Sequence, residues 1–301
     1  MTEKVLISGG SGLVGSRLTE ILQEQGYEVG HLSRSSNSNS SIETIRWDVT
    51  NMKLDTKSVE KYDYIIHLAG AGIADKAWTD SRKKVIIDSR VNSTKLLKQA
   101  IESNTKKPKA IVAASAIGFY GIETTEHIYK ESDSPGEDFL AETCILWEQS
   151  IDELATINIP LSRIRIGLVL SANGGALKEM AKPIKFGLGA ALGSGKQYMP
   201  WIHIDDLCRL FIFCFENKKT EIFNGVAPNQ LNNHTFSKAI ANTLKKPFFL
   251  PNVPSFLLKL ILGTRAQLIL KGSRISAEKV KNSGFNYKFE KLEDALKAIY
   301  I

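Results

Sequence analysis

The stretch that most restricts what this chain can become is Gly9-Gly10-Ser11-Gly12-Leu13-Val14-Gly15, set directly after the apolar run Val5-Leu6-Ile7 and before a segment of helical period. It satisfies both GxxGxxG and GxGxxG. A chain that leaves a buried strand and at once enters a helix needs backbone angles and close approaches that only glycine permits. The helix start then presents free N–H groups and the positive end of its dipole. A tight turn alone would also use glycines. Their position between strand and helix points instead to a pyrophosphate held at the turn, with Gly9, Ser11, Gly12, Leu13 and Gly15 as candidate contacts.

The rest of the chain repeats that unit. Apolar runs rich in Val and Ile at 5–8, 28–33, 44–47, 64–67, 110–114 and 161–166 read as strands. Their near-continuous apolarity implies a sheet covered on both faces. The stretches 13–25, 78–103 and 138–154 are long enough for crossover helices, which predicts an α/β fold: a doubly wound parallel Rossmann sheet. Past residue 170 the pattern loosens. A glycine-rich stretch at 187–195, a strand at 222–225 and a helix at 235–244 precede the Pro-bearing segment 247–254 and a helical tail. Two units are expected, a Rossmann domain over 1–246 with substrate-side insertions after about 170, and a small C-terminal subdomain over 247–301.

The end of the second strand sets the expected cofactor. In the NAD-binding version of the fold an Asp or Glu there bonds the ribose 2′-hydroxyl. Here Ser33-Arg34 occupies that place. A guanidinium fork and a hydroxyl suit a 2′-phosphate, so NADP is favoured; the alternative is an arginine that simply faces solvent.

The formal charge of +7 comes from lysines scattered in pairs along the chain, with no basic run interleaved with aromatics, so no nucleic-acid partner is expected. Cys144, Cys208 and Cys214 are too few and too unevenly spaced for a disulfide framework or a zinc site, which points to reduced thiols and a cytoplasmic protein. The N-terminus lacks the pattern of a signal peptide. The longest apolar stretches, 207–215 and 256–262, are too short to span a bilayer, and no membrane partner is expected.

Further blocks occur in a fixed order: Trp47-Asp48-Val49, His67-Leu68-Ala69-Gly70, Ser115 through Gly121, and Pro200-Trp201-Ile202-His203-Ile204-Asp205-Asp206. Together with the glycine turn they resemble the extended short-chain dehydrogenase/reductases. With Arg163 through Leu170, Gly187-Leu188-Gly189, Phe223 through Pro228 and the tail around Gly284-Phe285, the chain is similar to the atypical, NAD-dependent epimerase-like members that carry an extra C-terminal domain of unknown function. That resemblance implies that Asp48 lies by the adenine and that Leu68 and Ala69 meet the adenosine ribose through their backbone. It also makes Arg90 a cofactor-contacting arginine and puts Val169 where the nicotinamide end passes. Bland alternatives stand beside each: a turn cap, core packing, a surface ion pair.

The reaction centre departs from the family pattern. Catalytic members use a Ser or Thr with a Tyr and Lys spaced YxxxK, the Lys lowering the Tyr pKa so that the phenol can pass a proton. Alignment on Phe119-Tyr120-Gly121 and Trp147-Glu148 puts Ala116, Leu140 and Cys144 at those three places. Ser115, Tyr120, Glu131, Cys144 and His203 remain as acid–base candidates, with packing, surface or turn roles as their alternatives. The expectation is an NADP-dependent oxidoreductase or epimerase acting on a small molecule without the Tyr–Lys pair. The alternative is a non-catalytic NADP-binding regulatory or sensor protein. The catalytic residues, the substrate and the oligomeric state stay open.

Overall fold

The computed structural model describes residues 2–35 and 42–301. Its strands are β1 Lys4–Ser8, β2 Glu28–Ser33, β3 Glu43–Asp48, β4 Lys53–Leu54, β5 Tyr64–His67, β6 Ala110–Ala116, β7 Ile128–Tyr129, β8 Leu161–Ile166, β9 Leu168–Leu170, β10 Trp201–His203, β11 Ile222–Gly225 and β12 Arg274–Ile275. The helices are α1 Leu13–Glu24, α2 Thr56–Val59, α3 Asp80–Ser103, α4 Phe139–Asp152, α5 Gly175–Lys185, α6 Ile204–Glu216, α7 Asn233–Thr243, α8 Ser255–Leu262, α9 Gln267–Leu270, α10 Glu278–Asn282 and α11 Leu292–Tyr300.

Eight strands form the central sheet in the order β11-β8-β6-β5-β1-β2-β3-β4, parallel except where β4 folds back on β3. The chain winds from β1 toward β3, then returns to the other side of β1 and winds outward through β5, β6, β8 and β11. The order therefore reverses between β1 and β5, and ligands of such sheets gather outside the strand ends at that reversal. The core strands are buried along nearly their whole length, β5 at every residue and β6 at all but its last. Helices lie on both faces. Ile7, Val112 and Ile164 share one cluster with Leu18 of α1 and Phe211 of α6, while Leu6, Ile65 and Ile111 face Leu97 of α3.

Several elements were not legible in the periodicity. Helix α6 reads as a plain apolar stretch because nine of its thirteen residues are buried, leaving only a narrow stripe of Asp205, Arg209 and Glu216 to mark a 3.6 period. The pairs β9–β10 and β7–β12 each join segments distant in sequence. Helix α3 starts at Asp80, two residues later than the pattern suggested, where the Thr79 hydroxyl accepts the Arg82 N–H. The C-terminal tail is tied into the rest of the chain. The buried Asp206 carboxylate accepts the main-chain N–H groups of Lys288 and Phe289, both at 2.8 Å, and Leu292 and Leu296 pack in one cluster with Leu177, Trp201 and Phe236. Among the described residues no helix is long and apolar enough to cross a membrane, and no cluster of His, Cys, Asp and Glu could hold a metal ion.

Candidate functional site

The glycine turn leaves the C-terminal end of β1 and lies against the residues that leave β5. Gly9 takes φ +75° and sits so near Leu68 that a side chain would press on the Leu68 carbonyl. At Gly15 a Cβ would fall 2.4 Å from the Gly9 oxygen, which accounts for glycine inside the first turn of α1. Gly12 is the N-cap of α1 and no side chain caps it; both Ser11 and Gly12 are exposed. The first N–H groups of α1 thus open onto the crevice between β1 and β5, the place at which an anion is stabilised.

A second helix start converges there. The turn after β9 brings Gly174 and Gly175 against the Leu13 side chain, and α5 begins at that point without a side-chain cap. Val169 lies in β9, half buried, where it packs on the main core cluster.

Leu68 and Ala69 are held from below by one hydroxyl. The Ser8 oxygen accepts both of their N–H groups, at 3.0 and 3.2 Å, and pairs with the His67 Nδ1 at 2.7 Å. His67 is enclosed, also bonded to Thr94, and burial pushes its pKa down to about 4, so it stays neutral. Any backbone contact to a ribose from Leu68 and Ala69 would therefore come from their carbonyl oxygens. Arg90 reaches the loop that follows: its Nη1 donates to the Ala71 and Ile86 carbonyls, and its guanidinium stacks 4.8 Å from the Trp147 ring centroid. The Asp48 carboxylate closes a turn by accepting both the main-chain and side-chain N–H of Asn51.

At the far end of β2, Ser33 is half buried and Arg34 exposed, and Arg34 makes no ion pair among the described residues. Sequence reasoning passed over a second cation. Arg46 of β3 is the register partner of Ser33, so the two side chains share one face of neighbouring parallel strands about 4.8 Å apart. Only the strand pairing reveals that proximity, because the two are thirteen positions apart in sequence.

The three replaced positions do meet. Cys144 Sγ lies 3.6 Å from the Ala116 carbonyl, and the Leu140 and Cys144 side chains both border Gly118. Burial pushes the Cys144 thiol up to about 12, leaving it neutral and buried against the main chain. Beneath them runs a buried polar network. Arg165 grips Glu148 with two bonds, Nε to Oε1 at 2.8 Å and Nη2 to Oε2 at 2.9 Å, and Ser115 donates to Oε1 at 2.6 Å. The remaining Arg165 Nη1 donates to the Tyr120 hydroxyl, which in turn donates to Asn224 Oδ1 at 2.7 Å. Burial raises the Tyr120 phenol to about 12, the opposite of what a proton-passing tyrosine needs. For Glu148 burial also acts upward, but the bonds and charge of Arg165, with Ser115 and Arg163, outweigh it and hold the carboxyl below its usual range.

Two alternatives considered for single residues resolve here. Glu131 is not a free surface carboxylate, since its Oε1 accepts the Asn224 N–H at 2.8 Å and its carbonyl accepts from Arg165. His203 caps α6 by accepting the Asp205 N–H and stacks on Phe289. Both side chains are thus engaged within the protein.

A doubly wound sheet with a glycine turn at its reversal, and a helix start open beside it, defines a Rossmann-type dinucleotide-binding protein. The description of the NAD dependent epimerase/dehydratase family matches residues 5–225, and that of a domain of unknown function, DUF1731, matches residues 253–299. The chain belongs to the NAD dependent epimerase/dehydratase family. The epimerase family protein YfhF of Bacillus subtilis is 33% identical over 295 residues, covering 97% of this chain and 96% of its own. The mouse epimerase family protein SDR39U1 is 31% identical over 300 residues, covering 98% and 99%. The crystal structure of human SDR39U1 (isoform 2) with NADPH superposes with a TM-score of 0.88 at 31% identity, covering 98% of each chain.

Proposed function

We propose that this protein binds NADPH in the crevice between the glycine turn and the loop after β5, and that it is an NADP-dependent oxidoreductase or epimerase lacking the Tyr–Lys relay. The observation that carries the reading is the open start of α1 beside the end of β2, where Ser33 and Arg34, with the neighbouring Arg46, stand in place of the Asp or Glu that would bond a free ribose. The co-crystal of the human relative with NADPH supports the same choice. In this reading the α1 N–H groups hold the pyrophosphate, with Gly12 leaving room for it. Arg34 and Arg46 meet the 2′-phosphate, and Val169 borders the nicotinamide end. The bound cofactor would supply the hydride acceptor or donor.

Ala116 and Leu140 carry no proton to give, and Cys144 and Tyr120 keep theirs at neutral pH. Proton transfer in such a reaction would then rest on water or on a group other than these four. The same set of groups is what favours a second reading, an NADP-binding sensor that performs no turnover. Three free, buried thiols accord with a reducing compartment such as the cytoplasm.

The test is a pair of dissociation constants, for NADPH and NADH, on the wild type, Arg34→Ala and Arg34→Asp at fixed ionic strength. A charge-assisted bond is worth roughly 1.5–3 kcal/mol, and Arg34 is exposed, so the lower end applies. Arg34→Ala should weaken NADPH about tenfold and leave NADH nearly unchanged. Arg34→Asp should reverse the preference. Equal wild-type affinities, or equal losses for both cofactors, would withdraw the NADP assignment. Transfer of label from deuterated NADPH to a component of a metabolite extract would establish an oxidoreductase.

A further inference from the structure

Segments 180–204 and 241–277 hold nine lysines and arginines and no aspartate or glutamate. That exceeds the net charge of the whole chain, +7, so the remainder is net acidic. The fold lays these segments side by side. Val253 donates to the Ala191 carbonyl and Gly193 to the Val253 carbonyl, Gly189 lies against Pro247 and Phe248, and Gly193 against Ser255 at the start of α8. Along this seam stand Phe186, Leu188, Phe249, Phe256, Leu260 and Ile261, each between 60% and 84% exposed. Among the described residues, these are all the large apolar side chains more than half exposed, apart from the terminal Ile301. Exposed apolar groups scattered singly need no explanation; a full set gathered on one face does.

We propose that this face docks the protein on an anionic lipid bilayer, with α8 lying in the interface. Exposed Lys185, Lys245, Lys246 and Lys259 accompany the apolar groups, and none of them pairs with a carboxylate among the described residues. Phe and Leu beside lysines is the composition of a helix that settles at the headgroup boundary. A second copy of the chain is a poor occupant, because a two-fold contact would set like charges of this face against each other. A protein partner fits less well too, since such interfaces favour arginine and are depleted in lysine. Here seven of the nine cations are lysines, and both arginines are engaged, Arg265 on the Ala74 and Leu262 carbonyls and Arg274 on Gln230. The Arg265 bond to Ala74 also joins this region to the loop that leaves β5, so the docked face would border the crevice. That no helix among the described residues is long and apolar enough to span a membrane is no obstacle, because a peripheral contact needs none.

The experiment is co-sedimentation with vesicles of phosphatidylcholine alone and of equal parts phosphatidylcholine and phosphatidylserine, at low and high salt. Binding is expected to the anionic vesicles only and to weaken with salt, each lysine near the surface counting for about fivefold. The pair Leu260→Glu with Ile261→Glu, and separately Lys245→Glu with Lys246→Glu, should each lower binding more than about tenfold. NADPH affinity, read on the same variants, reports that the fold is intact. No binding to anionic vesicles overturns the proposal. So does binding that survives both double variants, or a dimer of the wild type that either double variant dissociates.

Discussion

Removing the Glu148 carboxylate should unseat more of this molecule than removing any group on its surface. Glu148 and Arg165 are almost wholly enclosed, with side chains 5% and 3% exposed. Glu148→Ala leaves the Arg165 fork and the Ser115 hydroxyl without their acceptor, whereas Arg163 keeps Asp152. Breaking one side of a buried ion pair costs roughly 3–5 kcal/mol, because an uncompensated charge stays inside. For a chain of this size about 2 °C is lost per kcal/mol, so the melting midpoint should fall by roughly 6–10 °C. Glu148→Gln keeps an acceptor for Ser115 and should fall about half as far. The dependence on pH adds a sign. The folded carboxyl titrates below its unfolded value, so its contribution is complete above about pH 4.3 and is lost as pH falls through the lower folded value. Wild type and Glu148→Gln should differ most near neutrality and converge in acid. Chemical denaturation and thermal scans across pH 3 to 8 would measure this. A Glu148→Ala protein within about 1 kcal/mol of wild type at pH 7, or a gap that widens in acid, would refute the reasoning.

Two further outcomes follow from the crevice. A Cβ at Gly12 would lie 3.3 Å from the Gly9 oxygen with open space outward, so Gly12→Val should fold yet lose NADPH binding more than about a hundredfold, read by calorimetry; unchanged affinity would move the pyrophosphate elsewhere. Cys144, with its thiol raised to about 12 by burial, should resist alkylation at pH 8 in the native protein and react on unfolding; Cys144→Ala should leave any turnover within about twofold, and a large loss of kcat at preserved stability would give the thiol a catalytic role.

The sequence alone carried the winding of the sheet, because βα repetition with glycine at the first turn admits few topologies, and each strand of the core is apolar enough to need cover on both faces. It also carried Ala116, Leu140 and Cys144 at the places that align with the family's Ser or Thr, Tyr and Lys, which is a matter of residue type at counted positions. The sequence could not show that Arg46 stands beside Ser33, since that follows from the pairing of β2 with β3. Nor could it show that Ser115, Glu148, Arg165, Tyr120 and Asn224 form one network, because their positions span more than a hundred residues and meet only where β6, β8, β11 and α4 pack. Lys185, Lys245, Lys246 and Lys259, which look like part of an even scatter along the chain, come to accompany the exposed apolar side chains for the same reason. Periodicity and composition report each segment's own preference for water, whereas charge and chemistry at a site depend on which segments the sheet order brings together.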